Sequence, residues 1–308
     1  MSNRGATSSS AAVDRPGLVW RVTLALLRVL PERALSRAVG ALARVPLPRP
    51  LRRPLLGAFA RLARMRLDEA ARPLREYRSF NALFTRRLRP GLRSWDKDPT
   101  ALASPVDGVI GQVGTIADGQ LVQAKGRFYT AASLLADPAQ AAAFAGGQFL
   151  TIYLSPRHYH RIHTPTPGHV VSARHIAGRL LPVHDAAVRG VDELFARNER
   201  LVCTLVGPVG TLAVVAVGAT NVGSISVAFD DAWAGGADTG VTNRSATAPL
   251  ERHYENPPPV GRGDELMAFH LGSTVILLTP PGLVLARGIE QGLEVQVGRT
   301  LARRIAGE

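Results

Sequence analysis

Near its C-terminus the chain reads FHLGSTVILL, residues 269–278, and this stretch predicts both a strand and a reactive bond. The apolar, β-branched run after Ser273 is typical of a buried strand, and the Pro and Gly residues that follow mark its end. Gly272 has no side chain, so its backbone accepts close approach and strain. Given a base, the Ser273 hydroxyl can attack the preceding carbonyl. The simpler interpretation is that Gly272 leads into a core strand, and that the polar side chains of Ser273 and Thr274 are solvated at the end of this strand.

Positive charge is concentrated in the first third of the chain. Residues 1–100 carry 21 Lys and Arg against 7 Asp and Glu, whereas residues 101–308 carry 16 against 17. Such an asymmetry favours an anionic partner, either a membrane surface or a nucleic acid. The segment has no zinc-finger, helix-turn-helix or RNA-recognition signature and few aromatic residues to stack on bases. We therefore expect a membrane surface and no nucleic acid.

The first third predicts a tail followed by basic helices. Residues 1–15 are rich in Ser and Ala and predict a disordered tail. Amphipathic, Arg-bearing helices are predicted at about residues 17–30, 31–45 and 51–66, within a helical membrane-associating region of residues 16–98. None of them has the roughly 20 apolar residues of a membrane span, and no signal-peptide pattern precedes them. Packing of these helices on the rest of the chain, with solvated arginines, is the alternative.

From about residue 99 onward, short β-branched runs alternate with Gly and Pro turns. This spacing predicts a β-rich domain over residues 99–308, mostly antiparallel, as a sandwich or a partly closed barrel. The whole chain is therefore expected to be α+β. Residues 233–262 predict a long surface loop. The predicted strands are residues 109–116, 121–124, 149–154, 169–176, 201–206, 211–217, 222–228, 274–279, 283–286 and 293–297.

The single cysteine, Cys203, excludes an intramolecular disulfide. Its neighbours are mostly apolar, so we expect it in the core rather than as a reactive thiol. This cysteine usage is typical of a reducing compartment.

Three of the eight histidines, His158, His160 and His163, stand within six residues. A strand through them would place His158 and His160 on one face, as a metal site would require. No carboxylate or cysteine lies nearby in sequence to complete such a site, so we expect no metal. Acid–base chemistry and a cluster without function are the other interpretations. Upstream, Asp107 precedes Gly108, and this pair alone is typical of a turn that caps a hairpin.

Several segments, taken in order over roughly residues 75–300, resemble the pyruvoyl-dependent phosphatidylserine decarboxylases of bacterial membranes. The strongest likenesses are Asp107-Gly108, His160-x-x-His163, the stretch from Gly218 to Gly223, and Leu271-Gly272-Ser273-Thr274. Weaker likenesses lie in residues 77–88, 123–130 and 195–200. There are two departures: Met267-Ala268 stands where relatives tend to have a Met-Gly pair, and His158 stands where they often have an acidic or other polar residue.

The resemblance implies a zymogen that cleaves itself between Gly272 and Ser273. The products would be a β chain of residues 1–272 and an α chain of residues 273–308, which stay associated. His163, oriented by Asp107, would take the proton from Ser273, which attacks Gly272 and becomes a covalent pyruvoyl group. These roles come from the family and not from the spacing of the residues.

In turnover, the resemblance implies a Schiff base between the pyruvoyl group and the amine of phosphatidylserine. Carbon dioxide leaves, His160 supplies the proton, and phosphatidylethanolamine is released. No pyridoxal phosphate is expected, and residues 101–308 contain a single lysine, Lys125. The expected partner is the anionic phospholipid substrate, at the cytoplasmic side of the cell membrane as a peripheral protein. A homodimer is a further possibility.

Two other functions stay open from the residues alone. A serine hydrolase could use Ser273, His163 and Asp107 on external substrates, although the chain has no Gly-x-Ser-x-Gly elbow. A non-enzymatic β scaffold, held at a membrane by the basic helices, needs none of these side chains. Cleavage of the purified chain between Gly272 and Ser273 would separate the decarboxylase from both.

Overall fold

The protein is described from a computed structural model that covers residues 32–220, 224–231, 250–271 and 273–305. Ser273 is described by its backbone only. The predicted tail and the first predicted helix lie outside the described residues.

The two longest helices come first in the described part of the chain, and shorter helices lie between the strands. The helices are α1 Glu32–Arg44, α2 Arg49–Leu62, α3 Phe80–Phe84, α4 Ala131–Leu135, α5 Pro138–Ala142, α6 Asp185–Gly190 and α7 Leu194–Arg197. Single 3₁₀ turns span Leu67–Glu69 and Leu74–Glu76. Helices α1 and α2 match the two predicted near these positions. A proline in the first turn of α2 fits there because that turn leaves its N–H groups unbonded within the helix.

Strands make up most of the remainder. They are β1 Ala101–Ala103, β2 Gly108–Thr115, β3 Gln120–Ala124, β4 Arg127–Thr130, β5 Gln148–Leu154, β6 Arg161–His163, β7 Gly168–Ile176, β8 Arg200–Gly207, β9 Gly210–Val217, β10 Ser224–Val227, β11 Leu250–His253, β12 Pro259–Val260, β13 Glu265–His270, β14 Ser273–Leu278, β15 Leu283–Leu285, β16 Glu294–Val295 and β17 Thr300–Arg304.

The largest sheet is antiparallel, in the order β11-β7-β8-β9-β14-β5-β2-β16, with β12 added beside β7. Smaller sheets have the orders β10-β13-β6 and β1-β17-β15, and β3 pairs with β4. The expected α+β class and antiparallel pairing are confirmed. The main sheet of the described residues has open edges at β11 and β16, so it does not form a closed barrel.

Strand β14 lies at the centre of the main sheet. It is hydrogen-bonded to β5 on one side and to β9 on the other. The side chains of Val275, Ile276, Leu277 and Leu278 are fully buried. The buried strand predicted after Ser273 is therefore confirmed, and the sheet holds its first residue in a fixed register.

A second apolar cluster joins the helices to the start of β14. It contains Leu56 and Ala60 of α2 together with Leu83 and Phe84 of α3, and Leu271 packs against it. The helices thus contact the residue that precedes Gly272.

Two sequence predictions are corrected by the strands. His158 and His160 do not share a strand face, because they lie in the connection between β5 and β6. The predicted loop of residues 233–262 ends in β11 and β12, which pair with β7; residues 232–249 lie outside the described part. Cys203 is buried in β8, as expected.

Candidate active site

The segment that joins β13 to β14 has a strained backbone. Strand β13 ends at His270 and β14 begins at Ser273, which leaves Leu271 and Gly272 to connect them. Leu271 has a φ of +88°, a conformation that residues with a side chain rarely adopt and that costs on the order of 1–3 kcal/mol. Gly272 lies outside the described residues. Strain is thus located one residue before the bond between Gly272 and Ser273.

The strand register places His160 closer to this segment than His163. Strand β6 pairs with β13, so that His163 lies opposite Glu265, eight residues before Ser273. The Phe269 N–H donates to the His160 carbonyl over 3.0 Å. Phe269 stands only four residues before Ser273. At the other end of the same connection, Leu154 pairs with Ser273.

His160 is a neutral, buried imidazole with an unused nitrogen. Its Nδ1–H donates to the His158 carbonyl over 2.8 Å, which leaves Nε2 as the nitrogen with a lone pair. Nε2 is buried and has no hydrogen-bond partner. The ring packs on Phe84, with ring centroids 3.9 Å apart. Burial, followed by the nearby charge of Arg86, holds the pKa of His160 well below its usual value.

His163 is held between a backbone carbonyl and a phenol. Its Nδ1–H donates to the Gly263 carbonyl over 2.7 Å, so its Nε2 accepts from the Tyr159 hydroxyl at 2.9 Å. Burial lowers the pKa of His163, which keeps it neutral. Gly263 has a φ of +84°, and a Cβ there would lie 2.7 Å from the Trp95 ring. Only glycine therefore brings this carbonyl to His163 without displacing Trp95.

Asp107 pairs with an arginine rather than with His163. Its carboxylate accepts from Arg93 Nη2 at 2.6 Å and from the Val297 N–H at 2.8 Å. No hydrogen bond joins Asp107 to His163 within the described residues, and Nδ1 of His163 is bonded to the Gly263 carbonyl. Arg93 also donates to Glu69 over 2.8 Å, so Asp107 belongs to a buried ionic network beside His163.

A large cavity is lined by Thr274, the residue after Ser273. Its volume is about 690 Å³, and Thr274 of β14 and Tyr153 of β5 form part of its wall. The Thr274 hydroxyl is buried and has no hydrogen-bond partner. Most of the remaining wall is apolar, and Lys125 is one of its charged residues. The size and the mostly apolar lining are typical of a small-molecule site.

Two further expectations concern metals and membrane spans. No group of three or more His, Cys, Asp or Glu side chains that could hold a metal occurs in the part of the chain that the structure describes. Among the described helices, none is long and apolar enough to span a bilayer.

The comparison with protein families covers the whole of this site. A family model described as phosphatidylserine decarboxylase matches residues 80–303. The chain belongs to the phosphatidylserine decarboxylase family. Similar proteins of the family include the phosphatidylserine decarboxylase proenzyme of Anaeromyxobacter sp. (strain K), 48% identical over 91% of this chain and 98% of the relative. The proenzyme of Myxococcus xanthus (strain DK1622) is 42% identical over 83% of this chain and 88% of the relative.

Sequence motifs of the decarboxylase family led to the two histidines and to Asp107, but three of their neighbours were missed. Arg93, Tyr159 and Gly263 contact those side chains directly. Tyr159 stands inside the histidine segment and could have been noticed there. Arg93 is one of many arginines in a basic region, and Gly263 has no side chain, so neither gave a signal.

The departure from the family pattern at Met267 has a place in the core. Met267 is buried in β13, and its Sδ lies 3.6 Å from Cys203 Sγ. The Met267 side chain therefore packs in the core against Cys203 of β8. Of the two glycines in the Gly218–Gly223 stretch, Gly218 accepts a hydrogen bond from Asn198 over 2.9 Å, and Gly223 lies outside the described residues.

Proposed function

We propose that this chain is a self-cleaving decarboxylase that converts phosphatidylserine to phosphatidylethanolamine and carbon dioxide. The observation that carries the proposal is the setting of the Gly272–Ser273 bond. Leu271 before it has a strained backbone, Thr274 after it lines a large cavity, and Phe269 of the same segment is hydrogen-bonded to the backbone of the buried His160. Membership of the family and the names of the relatives support the substrate. The same features do not favour a serine hydrolase. Ser273 begins a central strand of the main sheet, whereas the nucleophile of such enzymes lies on a sharp turn between a strand and a helix.

In maturation, the Ser273 hydroxyl loses its proton to a histidine and its oxygen bonds to the Gly272 carbonyl carbon. The Gly272–Ser273 amide bond then breaks, which leaves an ester. Loss of the Ser273 α-proton expels the Gly272 carboxylate and leaves dehydroalanine at residue 273. Addition of water to it releases ammonia and leaves a pyruvoyl group. Strain at Leu271 favours the first step, since breaking the amide releases the constraint.

Two histidines are candidates for the base. The family resemblance assigns this role to His163 with Asp107 as its partner, and the Nδ1–H tautomer of His163 leaves Nε2 able to accept a proton. The register favours His160 as a second candidate, because it is aligned nearer to the end of β13 that leads to Ser273 and its Nε2 has no hydrogen-bond partner. Separate substitution of each histidine, with cleavage as the readout, distinguishes them.

The residues at the site fit a pyruvoyl group at position 273. Thr274 has an unused buried hydroxyl, and the cavity gives a substrate access to the start of β14. A pyruvoyl group supplies a ketone that condenses with the substrate amine and accepts the electrons left when carbon dioxide departs.

His160 is proposed to move the proton in turnover. A substrate ammonium group must lose a proton before it condenses, and Nε2 of His160 is unprotonated in the free protein because burial lowers its pKa. Nε2 takes this proton and returns it to the substrate carbon after carbon dioxide has left. A neutral imidazole with its other nitrogen fixed by the His158 carbonyl suits this exchange.

The cavity beside Thr274 is proposed to hold the substrate. Its apolar walls suit the glycerol and the first carbons of the acyl chains. Lys125 is exposed at this cavity and forms no ion pair with any described residue, so its ammonium group is available to the phosphate of the lipid.

Contact with a membrane is proposed for helices α1 and α2. They expose Leu42, Leu51, Leu55 and Leu62 among arginines, and Leu62 is 87% exposed. Such a surface suits the interface of an anionic bilayer. We propose a peripheral protein at the cytoplasmic side of the cell membrane, with the α and β chains associated; a homodimer is part of the same proposal.

Intact mass spectrometry of the Ser273→Ala variant tests the proposal. The wild-type chain should split into residues 1–272 and a 36-residue fragment that begins with a carbonyl in place of an amine. The variant should remain one chain and release no carbon dioxide from phosphatidylserine. Ser94→Ala, at an exposed serine outside the site, is the control and should be cleaved normally. Decarboxylation by an uncut Ser273→Ala chain would refute the mechanism.

A further inference from the structure

A small cavity separate from the one beside Thr274 is lined by four arginines. Its volume is about 80 Å³, and its basic residues are Arg64 and Arg66 after helix α2, Arg86 after α3, and Arg157 in the connection between β5 and β6. The three other than Arg86 are exposed, so the cavity has a buried cationic floor and a cationic rim.

Arg86 is a buried guanidinium without sufficient partners. It is 2% exposed, and its Nη2 makes two long hydrogen bonds, to the Arg157 carbonyl at 3.3 Å and to the His158 carbonyl at 3.5 Å. Its Nε and Nη1 are buried and have no hydrogen-bond partner. Burial lowers the pKa of Arg86, yet a guanidinium keeps its charge in proteins. A buried charge with two unused donors is unfavourable unless an acceptor is supplied.

The carboxylates around the cavity are already paired. Glu69 accepts from Arg93 at 2.8 Å and lies 3.4 Å from Arg66. Asp107 accepts from Arg93 at 2.6 Å. Glu69 and Asp107 therefore share the guanidinium of Arg93, which does not line the cavity.

Glu294, the third carboxylate, accepts from Arg157 at 3.1 Å and lies 3.8 Å from Arg66. Within the described residues, no carboxylate lies within 4.0 Å of the guanidinium of Arg64 or Arg86. Two cations of the cavity thus lack a counter-charge, and the ones that have a partner keep further N–H groups for a second acceptor.

We propose that this cavity binds a tetrahedral oxyanion of the phosphate class, either free phosphate or the phosphate of a lipid headgroup. Guanidinium groups bind phosphate oxygens with paired, charge-assisted hydrogen bonds. One water needs about 10–15 Å³ of such space, so a cavity of about 80 Å³ is large enough for a phosphate group. An anion there would give Arg64 and Arg86 the acceptor that the protein does not provide.

The site touches the proton-handling residues without being part of them. Asp107 and Tyr159 line the cavity, and the Tyr159 hydroxyl also bonds to His163. This inference does not depend on the proposed reaction, because binding can be measured in a chain that is never cleaved.

The test is calorimetric titration of the full-length Ser273→Ala chain with inorganic phosphate, at constant ionic strength set with chloride. Wild-type cavity residues should give saturable binding of one phosphate per chain. Arg64→Gln and Arg157→Gln should each weaken it about tenfold, the loss expected for one charge-assisted hydrogen bond. Arg287→Gln, at an exposed arginine between β15 and β16 and outside both the cavity and the helices α1 and α2, is the matched control and should bind normally. Arg86→Gln should abolish binding; its folding is checked by circular dichroism.

A second arm identifies the source of the phosphate. Vesicles of phosphatidylcholine with and without phosphatidylglycerol are offered to the same variants. Headgroup binding is supported if Arg64→Gln and Arg157→Gln reduce binding to the anionic vesicles and Arg287→Gln does not. The proposal is overturned if neither phosphate nor vesicles distinguish the cavity variants from the Arg287→Gln control; the unused donors of Arg86 would then be met by water alone.

Discussion

At Leu271 the backbone takes a conformation that residues other than glycine avoid, and the chain keeps it through packing. The Leu271 side chain packs against the apolar cluster of α2 and α3, and two residues later the backbone of Ser273 is paired with β5. Strain maintained from both sides is a means of destabilising the intact bond relative to the cleaved chain. Leu271, rather than Gly272 alone, is thus proposed to contribute to the reactivity of the proposed cleavage site.

Replacement of Leu271 by glycine should slow self-cleavage more than replacement by alanine. Both changes remove the packing, but only glycine adopts a φ of +88° without strain. Loss of about 1.4 kcal/mol of strain corresponds to a roughly tenfold slower reaction. The measurement is the cleaved fraction against time after cell-free synthesis, followed by mass. Equal rates for the two variants would show that strain plays no part.

His160 should matter for turnover more than its neighbours do. His160→Gln retains a polar side chain of similar size but cannot carry a proton, so decarboxylation should fall by about 10²–10⁴-fold. Cleavage should continue if His163 is the base of maturation. The control is His169→Gln, at an exposed histidine of β7, which should change neither reaction. If His160→Gln stays uncut, His160 is the base and the assignment of His163 is wrong.

Among the elements, strand β14 would determine whether the two fragments stay together after the proposed cleavage. It would be the first element of the α chain, yet its neighbours β5 and β9 both belong to the β chain. Strand β17 of the same fragment pairs with β1 of the other. Four fully buried apolar side chains in β14 contribute on the order of 10 kcal/mol of burial, so the fragments are expected to remain one folded unit.

The cleaved chains should therefore elute together in size exclusion at nanomolar concentration and separate only in denaturant. Ile276→Ala, which leaves a cavity in the middle of β14, should lower the urea concentration at which they separate. Val284→Ala, at a residue of β15 that is 53% exposed, is the control and should not. Release of the small fragment from the wild-type protein on dilution alone would contradict this interpretation.

The strands that were predicted best from the sequence are those whose apolar composition alone favours burial. Alternation and β-branching located β5, β8, β9 and β14 to within about a residue of their observed ends. Among the strands that were not predicted, β6 and β13 contain His, Arg and Glu. They pair with each other, and β13 also pairs with β10. Local propensity carries no information about such pairings.

The candidate site divides in the same way. Family motifs located its histidines, its aspartate and its proposed cleavage bond, because these residue types are tied to a chemistry. The partner of Asp107 was not predictable, since Arg93 resembles every other arginine of the basic region. Nor was the role of the Gly263 carbonyl, which depends on a positive φ and on Trp95 beside it.

For the molecule as a whole, buried neutral histidines make folding dependent on pH. His270 is 2% exposed, and its Nε2 lies 3.0 Å from the Ser226 hydroxyl. Burial, helped by the charges of Arg44 and Arg161, lowers the pKa of His270 to about 3. His160, also buried, has its pKa lowered in the same direction. In the unfolded chain both imidazoles regain a pKa of about 6.5.

The free energy of unfolding should consequently be greatest above pH 6.5 and fall as the medium becomes more acidic. Below pH 6.5 the unfolded chain binds protons that the folded chain excludes, so each such histidine costs about 1.4 kcal/mol per pH unit until its folded pKa is reached. For His270 this interval extends from about pH 6.5 to about pH 3. Urea unfolding of the uncut Ser273→Ala chain at pH 7.5 and 5.5 measures the slope, and His270→Gln should reduce it by one histidine's share. Because the glutamine side chain of this variant would still offer a hydrogen bond to Ser226, an unchanged slope would mean that carboxylates, and not buried imidazoles, set the acid limit of the fold.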